Sequence, residues 1–313
     1  MAMASRREIL LSIVVLAACA EASRPPPIAG LRDDPGTTTD ASLDLGEPDL
    51  GGDESSTGAS VCDRVDLLFV IDNSASMAEE QAALVASFPG FIAGIESILG
   101  VETDYHVGVV TTDSNEFNRV GCRQIGALVT QTGGTHSSDA VCGPYAGGMA
   151  FMTPADSLSE TFSCAAKVGT EGSGLEQPMD AVTTMLLADT GNIALCNDGF
   201  LRDDALLVLT IITDEEDDGG SHGGPHAWYD AVVESKGGDP SRVVALSLLG
   251  RPEPNACDLE PEVAPEVADR IATFTELFEH GDVADICATD YAPFFAASVV
   301  GIAEACAVVI PPQ

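Results

Sequence analysis

Two short acidic turns carry the residues best suited to chemistry. The first reads Asp72-Asn73-Ser74-Ala75-Ser76-Met77, the second Thr213-Asp214-Glu215-Glu216-Asp217-Asp218. Asp72, Ser74 and Ser76 offer one carboxylate and two hydroxyls from a single tight loop, and Asp214 offers a second carboxylate. All are hard oxygen donors, which suit magnesium, calcium or manganese rather than a soft metal. A thiolate zinc site is disfavoured because no two cysteines stand in a CxxC spacing. His222 and His226 are four apart, but Gly223, Gly224 and Pro225 between them oppose a helix that would align both rings on one zinc ion.

Both turns end apolar runs. Val65–Ile71 is nearly continuous in apolar residues apart from Asp66, and Ala205–Ile212 apart from Thr210, as expected for strands buried on both faces. Tyr105–Thr111 and Val243–Leu249 read as two further strands. Leu84, Phe88, Phe91, Ile95 and Leu99 recur at three- and four-residue spacing, which predicts a helix over 78–99. Helices are expected over 155–167, 177–189, 226–236, 265–279 and 291–305, and a long Gly-, Ser- and Thr-rich loop with a short hairpin over 114–150. Strands alternating with helices predict an α/β fold: a doubly wound, open, mostly parallel sheet covered on both faces. In such sheets ligands bind beyond the carboxyl ends of the strands, where the strand order reverses. Both acidic turns fall at such ends. Asp113, in Thr112-Asp113, ends another strand at the same edge. It reads more as a loop residue than as a support for the site. Glu215–Asp218 reads as an acidic, solvated rim.

In these motifs the sequence resembles the von Willebrand factor type A domain over about residues 62–306. That family opens its metal-ion-dependent adhesion site with Asp-x-Ser-x-Ser after the first strand, which Asp72-x-Ser74-x-Ser76 matches. Its later Asp follows an apolar strand in a Thr-Asp step, which Thr213-Asp214 matches. The resemblance implies a Mg2+ or Ca2+ ion (Mn2+ is also compatible) with a position left for a partner's carboxylate. It also implies a Thr from a loop before a helix, and here the chain departs from the pattern. In Gly169-Thr170-Glu171-Gly172-Ser173-Gly174-Leu175-Glu176-Gln177-Pro178, counting back from the helix puts Glu176 nearest that place, with Ser173 and Thr170 as alternatives. Ligation by Glu176 would add a third carboxylate, weaken the pull on an acidic partner and favour calcium.

The rest of the chain bears on location and partners. Its 313 residues carry 13 Lys and Arg against 50 Asp and Glu, a formal net charge of -37, which disfavours nucleic acid as a partner. Arg6 and Arg7 precede a short apolar stretch ending in Leu16-Ala17-Ala18-Cys19. That resembles a lipobox and implies a signal peptide over 1–18 with lipidation at Cys19. Ala20 in place of Asp fits the outer membrane or cell surface better than the inner membrane. Residues 19–60, rich in Pro, Gly, Ser, Thr and Asp, read as an acidic disordered tether, and 61–313 as the folded domain.

Eight further cysteines fit an oxidising compartment. Cys62 and Cys306 bracket the domain and would staple its ends, and neighbours in sequence suggest Cys122–Cys142, Cys164–Cys196 and Cys257–Cys287, each closing a loop. Elbow, phosphate-loop and dinucleotide motifs are missing, so a binding or adhesion module, not an enzyme, is the leading expectation. Its partner would be an unknown protein or surface ligand, and the membrane would be met only through the lipid. A structural envelope protein with a purely stabilising metal is the alternative, and a metal-dependent hydrolase a more remote one.

Overall fold

The computed structural model describes residues 63–99, 104–187, 191–257 and 265–309. The expected signal peptide, Cys19, the tether and Cys62 lie outside the described residues. In chain order the elements are β1 (Arg64–Ile71), α1 (Ala78–Leu99), β2 (Asp104–Thr111), α2 (Leu158–Ala166), α3 (Pro178–Leu187), α4 (Gly191–Asn197), β3 (Leu206–Thr213), α5 (Pro225–Ser235), β4 (Val243–Leu249), α6 (Asp269–Glu276), β5 (Gly281–Asp285) and α7 (Ala292–Val309). The five strands form one sheet in the order β2-β1-β3-β4-β5, and every pairing is parallel. The expected α/β class is what the structure has.

Alternation along β1 divides the core in two. Val65, Leu67, Phe69 and Ile71 face α1, α2 and α7, where they meet Leu84, Phe88, Phe162 and Phe295. Leu68 and Val70 face α3, α5 and α6, where they meet Met179, Val182, Trp228 and Phe274. A strand turns successive side chains to opposite faces, so a run that is apolar throughout must be covered on both. Phe69 packs edge-on against Phe162 at 4.9 Å between ring centroids and against Phe88 at 5.8 Å.

The order of strands creates a crevice. From β1 the chain crosses to β2 on one side, and from β3 it crosses to β4 on the other. β1 and β3 are neighbours whose outgoing loops diverge, and loops that diverge this way leave room between them at the carboxyl edge.

The insertion between β2 and α2 wraps the outer edge of β2. Val129 N–H donates to the Val109 carbonyl, and Met152 pairs with Val107 in both directions. That pairing occupies backbone groups an edge strand would otherwise leave open. The expected hairpin is reduced to one antiparallel bridge, Gln131 with Val141.

Disulfides close this region differently from the order of cysteines in sequence. Cys122 bonds Cys196 and Cys142 bonds Cys164, so the expected Cys122–Cys142 and Cys164–Cys196 pairs are wrong. The insertion folds back so that Cys122 meets α4 and Cys142 meets α2, and nearness in space overrides nearness in sequence. Cys257–Cys287 is as expected. Cys306 is also disulfide-bonded, and its expected partner Cys62 lies outside the described residues. Two elements escape the sequence patterns, α4 and β5, both short. No helix among the described residues is long and apolar enough to cross a membrane.

Candidate metal centre

Asp72 follows β1 directly, is fully buried, and is held from both sides. Ser74 N–H donates to its Oδ1 at 2.7 Å, closing an Asx turn, and the Thr213 hydroxyl donates to its Oδ2 at 2.6 Å. The same turn brings the Ser74 and Ser76 hydroxyls to 3.3 Å of each other. α1 then begins, with Glu79 and Glu80 in its first turn, where the helix dipole favours negative charge. Asp214 follows β3, the neighbour of β1, and its carboxylate accepts the Ser76 hydroxyl.

Glu176 arrives from the loop before α3. That loop is anchored at several points. Gly172 N–H donates to the Asn73 carbonyl at 2.8 Å, Ser173 N–H to Asp113 Oδ2 at 2.7 Å, and Gln177 N–H to the Thr112 carbonyl at 3.0 Å. Gly220 presses on it from the other side, so closely that a Cβ there would lie 1.8 Å from the Glu176 carbonyl oxygen. The Glu176 carboxyl is buried and accepts the Thr112 hydroxyl at Oε2.

The alternatives to Glu176 are engaged elsewhere. Thr170 bonds the Thr135 carbonyl and His136, in the insertion. Ser173 is exposed, and its hydroxyl accepts from Leu175 N–H. Asp113 is more than a loop residue. It is buried, and besides Ser173 it accepts Asn73 Nδ2 at 2.9 Å, so it ties the two loops of the crevice together. The acidic run 215–218 is also not a uniformly solvated rim. Asp217 is fully buried, accepts Ser221 N–H, and accepts Met179 N–H at the start of α3, because the turn after β3 folds inward to cap that helix.

Burial and neighbouring carboxyls raise all three acids. Burial and the neighbouring Asp214 push Asp72 up to about 7. Burial, then Asp72, Asp113 and Glu215, push Glu176 up to about 9. Asp214 is raised by burial and by Glu266. Glu176 Oε1 and Asp214 Oδ1 are buried without a hydrogen-bond partner among the described residues. A buried, unpartnered carboxylate oxygen among like charges is costly unless it is protonated or meets a cation.

The donor set of carboxylates and hydroxyls fits a hard divalent ion. The three carboxyls do not all lie within 4.8 Å of one another. Ligands at 2.0–2.6 Å from one ion lie within roughly 5 Å of each other. One of the three would therefore move on binding or act through water. The tighter trio Cys257, Asp285 and Cys287 is no thiolate site, because its two cysteines are bonded to each other.

Sequence reasoning missed Gln81. Its side-chain amide donates to the carbonyls of Asp72 and Gly169, at 3.0 and 2.9 Å, and so pins the two loops to α1. The signal was present: a glutamine stands four after Met77 and three before Leu84, inside the buried stripe of the helix.

No family model matches this chain, and no curated protein does. Among solved structures, proximal thread matrix protein 1 from the mussel byssus is similar at 10% identity and a TM-score of 0.38, over 77% of this chain and 48% of its own. This chain therefore spans about half the length of that protein.

Proposed function

We propose that this chain binds one divalent cation through Asp72, Ser74, Ser76 and Asp214, with Glu176 beside them, and uses it to hold a partner's carboxylate. The observation that carries the reading is the pair of buried oxygens without partners, Glu176 Oε1 and Asp214 Oδ1, in a crevice whose acting charges are other carboxyls. A cation there relieves repulsion that the protein otherwise offsets only by holding protons. The bound ion would supply a positive centre for an anionic group. The chain's own residues do the positioning. Gln81 and Thr213 fix Asp72, and Asn73 and Asp113 fix the loop that carries Glu176. The von Willebrand factor type A reading accords with this arrangement. With it goes a lipid anchor at Cys19, presenting the domain at the outer membrane or cell surface.

A second reading is a cation that only stabilises the fold. The burial of Glu176 favours it, since a third carboxylate in the coordination sphere leaves less room and less positive charge for a partner.

Retention of cell-envelope material by the immobilised protein separates the two. Retention in magnesium or calcium that is lost in chelator and in Asp72→Ala supports capture through the ion. Cation binding with retention indifferent to chelator supports the stabilising role.

A further inference from the structure

The insertion that wraps β2 also encloses a cavity of about 370 Å³, lined by Arg119, Thr130, Gln131, Val141, Pro144 and Met149 among others. It shares no residue with the acidic crevice. Its walls are apolar, and two of them stay open to solvent: Val141 is 71% exposed and Met149 42%. The polar groups that line it are few. The Thr130 hydroxyl is spent on Asn118. The Arg119 guanidinium and the Gln131 amide have no partner among the described residues. In a chain with 50 acidic residues against 13 basic ones, an unpaired arginine at an apolar cavity stands out chemically.

The walls are also built in advance. Buried Asn118 donates to the carbonyls of Cys122 and Leu128 and accepts from Thr130 N–H, which fixes the strip beside Arg119. The Tyr145 hydroxyl donates to the Val129 carbonyl, and Tyr145 N–H and Gly148 N–H close a turn on the facing strip. The Cys142–Cys164 and Cys122–Cys196 bonds tie both strips to helices. A preformed apolar cavity with few, convergent polar groups is how small-molecule sites are made.

We infer that this cavity binds a carboxylate carried on an apolar body, with Arg119 and Gln131 donating to the carboxylate and Val141, Pro144 and Met149 covering the body. Both groups are donors, and a guanidinium matches a carboxylate's two oxygens. At about 370 Å³ the space falls at the small end of small-molecule pockets. Free medium-chain acids and the C-terminal residue of a peptide share this chemistry.

The test is titration of the full protein with octanoate, octanol and octylamine, and with acetyl-Val-Leu as free acid and as amide, followed by calorimetry. Saturable binding of octanoate or of the free-acid dipeptide is expected, at least about tenfold tighter than the matching alcohol or amide. Whichever binds names the source. Arg119→Gln is expected to weaken it by a similar factor while leaving magnesium binding unchanged, since Arg119 is exposed and bonds none of the acidic-crevice residues. No saturable binding of either acid, binding as tight for octanol as for octanoate, or binding indifferent to Arg119→Gln would overturn the inference.

Discussion

Replacing Glu176 with glutamine keeps the shape of the side chain and its acceptor for the Thr112 hydroxyl, and removes the charge. In the metal-free fold the Glu176 carboxyl is pushed from an ordinary 4.5 up to about 9. The unfolded chain releases that proton near 4.5 and the folded chain holds it, so the native state binds more protons throughout that window. Metal-free stability therefore falls as pH rises through it. At about 1.36 kcal/mol per pH unit, the penalty is below about 1 kcal/mol at pH 5, about 3 kcal/mol at pH 7 and about 5 kcal/mol at pH 8. Glutamine carries none of it. In chelator, Glu176→Gln should thus exceed the native protein in stability by up to these amounts, and the gap should widen with pH. Urea unfolding at the three pH values measures it. Saturating magnesium or calcium should narrow or reverse the gap, because an ion that binds only the native state stabilises whichever protein binds it better. A Glu176→Gln protein no more stable than the native one in chelator at pH 8 would refute the reasoning.

Cation affinity should rise with pH, since Asp72, near 7, and Glu176 must give up protons to the ion. Roughly a tenfold or larger gain between pH 6 and 8, with heat that varies with buffer ionisation, is expected, and a dissociation constant flat across that range would contradict it. Gly220→Ala places a Cβ 1.8 Å from the Glu176 carbonyl. It should cost about 2 kcal/mol or more in thermal unfolding and weaken cation binding, whereas native-like behaviour would mean the loop is not held as described. At the other end of β1, buried Asp66 accepts Arg202 N–H and Nε–H, each at 2.8 Å. Asp66→Ala should cost about 1–3 kcal/mol by leaving Arg202 N–H and Nε–H without their acceptor, while the guanidinium keeps Asp104 and the Val65 carbonyl, yet leave the cation affinity of the folded protein within about twofold.

How much was legible in the sequence follows from the range of the forces involved. The strands β1 to β4 and the helix α1 announce themselves through nearly continuous apolar runs and the 3.6-residue stripe, because burial on both faces of a parallel sheet favours apolar residues at almost every position. β5, Gly-Asp-Val-Ala-Asp, is a half-buried edge strand and carries no such pattern. α4 is only seven residues long and is held by the Cys122–Cys196 bond and by the Asn197 side chain, which accepts Leu128 N–H and donates to the Gly126 carbonyl. Those are contacts no local pattern encodes. Asp72, Ser74, Ser76 and Asp214 could be found because two strand ends carry them in order. The role of Asp113 could not, since it depends on a loop 60 residues away; Gln81 stood out as a polar residue in the buried stripe, but its partner Gly169, 88 residues on, was not legible. The placement of Glu176 rested on counting back from a helix. In the fold it lies close enough to Asp72 for that carboxyl to raise its own, while Thr170 and Ser173 turn to other partners.

The central claim is tested most directly by calorimetric titration of magnesium, and then calcium, into the metal-stripped protein, beside Asp72→Ala. One saturable site, lost in the variant while the variant remains folded by circular dichroism, is the predicted result. Folded native protein that binds neither ion, or an Asp72→Ala variant that binds as tightly as the native chain, would contradict it.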